Sequence, residues 1–79
     1  MEHEVIVYTT PTCPWCQVVK RYLEERNIPY REVDVSTDME AAMEMIRKSG
    51  QQGVPVVEID GEIVVGFDRE RIDALLGLR

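Results

Sequence analysis

Val5-Ile6-Val7-Tyr8-Thr9-Thr10-Pro11-Thr12-Cys13-Pro14-Trp15-Cys16 runs from an unbroken apolar segment, through a turn, into two cysteines. Val5 to Tyr8 is short, largely β-branched and closed by Thr9, Thr10 and Pro11, which predicts a buried central strand. Beyond the turn, Trp15, Val18, Val19 and Tyr22 recur at helical spacing, with Lys20, Arg21, Glu24 and Glu25 between them. The spacing predicts a helix over residues 14–26. Pro14 suits its first position, because the N–H that proline lacks would have no intrahelical partner there. Asn27 and Pro29 end the helix. The two cysteines therefore fall where strand gives way to helix.

Outward from this stretch, residues 30–35 alternate: Val33 and Val35 share one face and Glu32 and Asp34 the other, as in a half-buried strand. Ser36, Thr37 and Asp38 offer N-caps for a second helix. Its apolar stripe is read as Met39, Ala42, Met43 and Ile46, with the methionines as core packing, and Gly50 as its stop. After a loop at 49–53, residues 55–59 and 62–65 form two strands joined by Asp60-Gly61, a strong hairpin signal. Asp68 caps a last helix whose apolar face holds Ile72, Leu75 and Leu76. The order β-α-β-α-β-β-α predicts an α/β fold in one domain over residues 1–79. Its first three elements form a right-handed parallel unit, and the hairpin extends the sheet antiparallel. The expected architecture is a four-stranded mixed sheet flanked by three helices.

With 79 residues, the chain is short for even one typical domain. A hydrophobic share of 44% beside 30% charged residues argues against disorder. Nine basic against fifteen acidic residues give a charge of −6, a poor match for phosphate backbones or anionic membrane surfaces, so neither nucleic acid nor membrane is an expected partner. No run approaches the ~18 apolar residues of a membrane helix. The start Met1-Glu2-His3-Glu4 is acidic where a secretory signal is basic, which predicts a cytoplasmic protein without a leader. A monomer is expected.

Cys13 and Cys16 are the only cysteines, and their spacing admits three readings. A structural staple across so short a loop would constrain almost nothing, and a cytosolic chain would not keep it oxidised. A zinc site wants four ligands, usually Cys and His, and the remaining supply is His3, read as an inert residue of a frayed terminus. A metal or iron–sulfur carrier would need Cys13 from two chains. A redox-active dithiol fits the context best. Cys13 at or beside the N-cap receives the free N–H groups of the first helical turn and the positive end of the helix dipole, both of which favour thiolate over thiol. Cys16, one turn on, is turned inward. Cys13 is then the nucleophile that forms a mixed disulfide, and Cys16 the thiol that resolves it.

A Cys-x-x-Cys at the loop of a βαβ unit, with Cys13-Pro14-Trp15-Cys16 followed by Val54-Pro55 and Gly66-Phe67, resembles the glutaredoxin-like branch of the thioredoxin superfamily over the whole chain. The resemblance implies a thioredoxin-like fold and thiol–disulfide oxidoreductase activity with no bound cofactor. It implies a cis Pro55 facing the dithiol, and a Val54 backbone that receives extended substrate as a short added strand. Pro14, Trp15, Val54, Pro55, Gly66 and Phe67 are the implied substrate-binding residues.

Glutathione-using glutaredoxins usually carry Tyr or Phe at the place of Trp15, Thr before the Val-Pro pair, and Gly-Gly followed by acidic residues. Gly53 stands in the Thr place and Gly66-Phe67 in the Gly-Gly place. Phe67 would crowd the glutathione backbone, and Asp68, which could meet the tripeptide's amine, is followed by Arg69. The Gly-Phe pair is similar to NrdH-type redoxins, which draw electrons from thioredoxin reductase but usually lack Pro-Trp between the cysteines. The expected function is reduction of protein disulfides with thioredoxin reductase as donor; glutathione as co-substrate, with deglutathionylation through Cys13, is the alternative. Trp15 is expected as a contact for partner proteins. Lys20 is expected to pair with Glu24 on a solvated face rather than to tune the dithiol. The strand before the dithiol carries no acid to take the resolving thiol's proton, so water or the departing thiolate is expected to do so.

Overall fold

The computed structural model describes residues 3–77. Its elements are β1 (Val5–Thr9), α1 (Pro14–Glu25), β2 (Arg31–Asp34), α2 (Met39–Ser49), β3 (Val56–Ile59), β4 (Glu62–Val65) and α3 (Arg69–Leu76). The four strands form one sheet in the order β2-β1-β3-β4. β1 pairs parallel with β2, placing Val7 opposite Glu32, and antiparallel with β3, placing Val7 opposite Val57. β3 and β4 close an antiparallel hairpin in which Asp60 and Gly61 both have positive φ, as its two-residue turn requires. This is the thioredoxin-like glutaredoxin architecture expected from the sequence.

Strand alternation decides which helix covers which face. Val5, Val7, Val57, Ile59 and Val64 point to one side and are buried against Val19 and Leu23 of α1 and Ile72 and Leu76 of α3. Tyr8 and Val56 point to the other side and pack on Met45 of α2. β1 is thus covered on both faces, which is why its apolar run is continuous rather than alternating.

Each helix begins and ends as its residues dictate. Asp38 and Asp68 cap α2 and α3, their carboxylates accepting the N–H groups of Ala41 at 3.0 Å and Arg71 at 3.2 Å. Gly50, with φ of +76°, closes α2 in the left-handed conformation that glycine adopts without strain. Asn27 takes the equivalent turn after α1, and Ile28 N–H returns to the Leu23 carbonyl at 2.9 Å.

Two helix faces differ from the sequence expectation. The buried residues of α1 are Cys16, Val19 and Leu23, while Val18 is exposed; Trp15 is exposed too, as its expected place as a contact residue requires. In α2 Met45 is buried, and Met39 and Met43 stand out in solvent. Both helices carry apolar side chains across a wider arc than the sheet can cover. Periodicity finds that arc, but the sheet chooses its centre. The start of the chain is also better tied than expected: His3 Nδ1 lies 2.5 Å from Asp60 Oδ2, and Glu4 N–H donates to Asp60 Oδ1 at 2.8 Å.

Candidate active site

β1 leads to the centre of the sheet's edge and hands the chain to a turn in which Cys13 N–H meets the Thr10 carbonyl at 3.4 Å. Cys13 is the N-cap of α1, with extended backbone (φ −100°, ψ 108°) and Pro14 directly after it. The Cys13 sulfur accepts the Cys16 N–H at 3.1 Å. It therefore occupies the place that carboxylate oxygens of Asp38 and Asp68 occupy at the other two helices. A capping position favours a negative atom, because N–H groups and the helix dipole converge on it. The first turns of α2 and α3 carry Glu40 and Glu70, whereas that of α1 carries no acid, so its positive end is left to the sulfur.

Cys16 is fully buried, while Cys13 is partly open; both are free thiols. Burial pushes the Cys16 thiol up to about 12, helped by the adjacent Cys13 sulfur and opposed by the Thr10 backbone and the Lys20 charge. The two cysteines are thus chemically unequal, one facing outward at a helix N-terminus and the other held as a neutral thiol beneath it.

The Val54–Pro55 bond is cis and brings the Val54 carbonyl 3.7 Å from the Cys13 sulfur, within reach of its S–H. The Pro55 carbonyl accepts the Gly66 N–H at 2.9 Å. Gly66 has φ of +76°, a conformation L side chains rarely adopt, which lets the chain turn tightly out of β4 beside the proline. Trp15, Val54, Pro55, Gly66 and Phe67 line one open cavity of about 270 Å³. Five of the six residues singled out from the sequence as substrate-binding are therefore neighbours around one space; Pro14 lies at the start of α1 beside it. Phe67 is held from both sides, its ring 6.4 Å from that of Trp15 and 5.6 Å edge-on to Tyr22. Trp15 leans on this aromatic cluster and is still 60% exposed.

The environment of Lys20 departs from the sequence reading. Its ammonium donates to Glu32 Oε2 on β2 at 2.8 Å, and Glu24 is engaged instead by the Tyr30 hydroxyl. The same Glu32 oxygen accepts the hydroxyl of Thr9 at 3.0 Å, and Thr9 is buried at the end of β1. Lys20 and Thr9 hold the Glu32 carboxyl below its usual range, with Lys20 the larger cause. Strand alternation correctly put Glu32 opposite Val33. What the sequence did not reveal is that this face lies under α1, where parallel pairing with β1 brings Glu32 within reach of Lys20.

Among the described residues, no group of three or more His, Cys, Asp or Glu side chains is placed to hold a metal ion. His3 and Cys13 lie at opposite ends of β1, a five-residue strand that at ~3.3 Å per residue keeps them apart. Nor is any described helix long and apolar enough to cross a membrane.

Comparison with known proteins agrees with this geometry. The family model described as Glutaredoxin matches residues 5–64. An uncharacterized glutaredoxin-like 8.6 kDa protein in the rubredoxin operon of Clostridium pasteurianum is 50% identical over 70 residues, covering 89% of this chain and 93% of that protein. Glutaredoxin 3 of Escherichia coli is 33% identical over 64 residues, covering 81% and 77%. Among solved structures, the thioredoxin-like protein BC3987 superposes with a TM-score of 0.84 at 39% identity, over 91% of this chain and 99% of that one. A match that takes in both cysteines and the cis proline, joined by relatives of this closeness across most of the chain, places the protein in the glutaredoxin family of thiol–disulfide oxidoreductases.

Proposed function

We propose that the protein reduces disulfide bonds of other proteins through the Cys13–Cys16 couple, with thioredoxin reductase as its electron donor. The observation that carries the first half is the inequality of the two sulfurs: Cys13 caps α1 and accepts the Cys16 N–H, while Cys16 is buried beneath it. Cys13 thiolate attacks a substrate sulfur, forming the Cys13–substrate disulfide and releasing the other substrate sulfur as a thiolate. Cys16 then loses its proton to solvent and attacks the Cys13 sulfur. The Cys13–substrate bond breaks, its electron pair leaves on the substrate, which takes up a proton, and Cys13–Cys16 remains oxidised. Two electrons from the donor restore the dithiol.

The route for substrate is the cavity beside Cys13. An extended segment laid along Val54 would meet the Val54 backbone, cis Pro55 and the exposed Trp15 ring. Preference for a protein donor is supported by three features of that surface. Phe67 fills the place where glutathione-using relatives carry glycine. Gly53 offers no hydroxyl. Asp68 caps α3 through Oδ1, and the Arg69 charge that follows it opposes a tripeptide amine. The chain works as a monomer in the reducing cytoplasm, where a two-cysteine protein returns to its dithiol state.

A coupled NADPH assay tests the donor. Thioredoxin reductase should support turnover of a protein disulfide better than glutathione with its reductase. Phe67→Gly should improve the use of glutathione. A tenfold preference needs only about 1.4 kcal/mol, which one altered side-chain contact supplies. Turnover of the unmodified protein with glutathione and none with thioredoxin reductase would make glutathione the donor.

A further inference from the structure

We propose that Lys20, held in place by Glu32, is a positioning residue for the resolving step: its ammonium charge, carried one helical turn beyond Cys16, stabilises the Cys16 thiolate as it forms. The inference rests on the dithiol reading above and assigns it a residue outside the Cys-x-x-Cys motif.

Cys16 and Lys20 are four residues apart on α1, and so on adjacent turns of one helical face. A free lysine on that helix would extend into solvent. This one is drawn down to the sheet, its side chain only 17% exposed, by Glu32 at 2.8 Å. Glu32 is in turn fixed by the hydroxyl of buried Thr9 at 3.0 Å, on the same carboxylate oxygen. Thr9 is the only buried polar residue of the described core. A three-member chain from core to helix thus orders a cation whose natural position would be mobile and hydrated. The ammonium is held on the helical face that also carries Cys16, with most of its side chain covered.

The groups acting on the Cys16 sulfur are few. Burial and the Cys13 sulfur oppose its ionisation; the Thr10 backbone and Lys20 favour it. Glu32, which faces Lys20, is not among the groups acting on the Cys16 sulfur, and its own carboxyl is held low by Lys20 and Thr9. Forming the mixed disulfide changes this balance. Cys13 then carries no charge and can no longer repel a thiolate at Cys16, whereas Thr10 and Lys20 are unchanged. Burial still holds the resolving thiol toward its neutral form, but with a substrate attached one of the two opposing causes is gone and the favourable Thr10 and Lys20 contributions weigh more. In the resolving step Cys16 gives its proton to solvent, the new bond is Cys13–Cys16, and the electron pair of the broken bond departs on the substrate sulfur.

The test separates the two chemical steps. The aromatic disulfide DTNB reacts with the dithiol in two releases of coloured thiolate. The first is bimolecular, from attack by Cys13; the second is intramolecular and independent of DTNB concentration, from resolution by Cys16. Lys20→Met should leave the first phase within about twofold and slow the second. Loss of the Lys20 charge lowers the Cys16 thiolate fraction while the more basic thiolate recovers about half of that loss, on a logarithmic scale, in nucleophilicity, so the second phase should slow by up to about threefold. The pH profile of the second phase should move correspondingly to higher pH. Lys20→Arg, which keeps the charge, should restore both. Lys20→Gln, which keeps an N–H donor for Glu32, serves as a second neutral variant. An unchanged second phase in both neutral variants would overturn the proposal, as would equal slowing by Lys20→Arg. Absence of a second phase in the unmodified protein would instead remove the dithiol reading, and with it the basis of the proposal.

Discussion

Holding Cys16 as a neutral thiol has a thermodynamic cost that appears at high pH. Its folded value is displaced from the ordinary 9.0 up to about 12, chiefly by burial. A group whose folded value is raised contributes stability that is complete below its unfolded value and is lost as pH rises toward the folded one. The window is therefore from pH 9 to pH 12. Within it the unfolded chain has shed the Cys16 proton and the folded protein has not. Three pH units at about 1.36 kcal/mol each set a ceiling of about 4 kcal/mol, and at pH 10.5 the loss should be about 2 kcal/mol. Tyr22 and Tyr30, both raised by burial and by the carboxylates that accept their hydroxyls, lose stability over an overlapping window. Their contribution must be cancelled, and Cys16→Ala does so because it leaves both tyrosines in place. Urea unfolding of the reduced protein and of Cys16→Ala, at pH 8 and pH 10.5 with a phosphine reductant, measures the difference. The reduced protein should lose about 2 kcal/mol more than the variant between the two pH values. Parallel losses would show that the Cys16 thiol is not held neutral by the fold, and the asymmetry assigned to the dithiol would have to come from Cys13 alone.

Other expectations follow from the same geometry. Cys13→Ser should abolish disulfide reduction, and Cys16→Ser should accumulate mixed disulfides with substrates, visible by non-reducing electrophoresis; mass mapping after limiting iodoacetamide should find the first label on Cys13. Leu23→Ala should cost about 2–5 kcal/mol in chemical unfolding, since Leu23 is fully buried between α1 and the sheet. Asp38→Ala should cost about 1 kcal/mol by removing the α2 cap, with no change in Cys13 reactivity. Protein purified under reducing conditions should be colourless and free of iron and zinc by elemental analysis; stoichiometric metal would support a carrier bridging Cys13 of two chains.

The fold was legible because its signals are local. The apolar run before Cys13, the Asp-Gly turn and the aspartate caps each specify backbone geometry within a few residues, and the unbroken apolar run of β1 marks it as a central strand. The cis Val54–Pro55 bond was reached only through the family resemblance, since nothing in residues 49–55 taken alone distinguishes it. Helix orientation was less legible: Met45 and Leu23 face the core while Met39 and Val18 do not. The choice between such neighbours depends on how the sheet sits against the helix. The Thr9–Glu32–Lys20 chain was hidden for a related reason. Glu24 lies at ideal spacing from Lys20 on the helix, but Tyr30 engages it, and the competing partner arrives from a strand that sequence places far away.

The sulfur proposed as nucleophile is also the acceptor that anchors the first turn of α1, through the Cys16 N–H. Oxidation, alkylation or mixed-disulfide formation at Cys13 alters that acceptor. The amide of Cys16 is therefore a built-in reporter, whose proton shift and exchange rate should register the covalent state of the neighbouring sulfur. By reciprocity, whatever strengthens the start of α1 when Cys13 is a thiolate favours the reduced protein, and so makes the oxidised form a stronger oxidant. Helix initiation and electron affinity are in this protein two readings of one hydrogen bond.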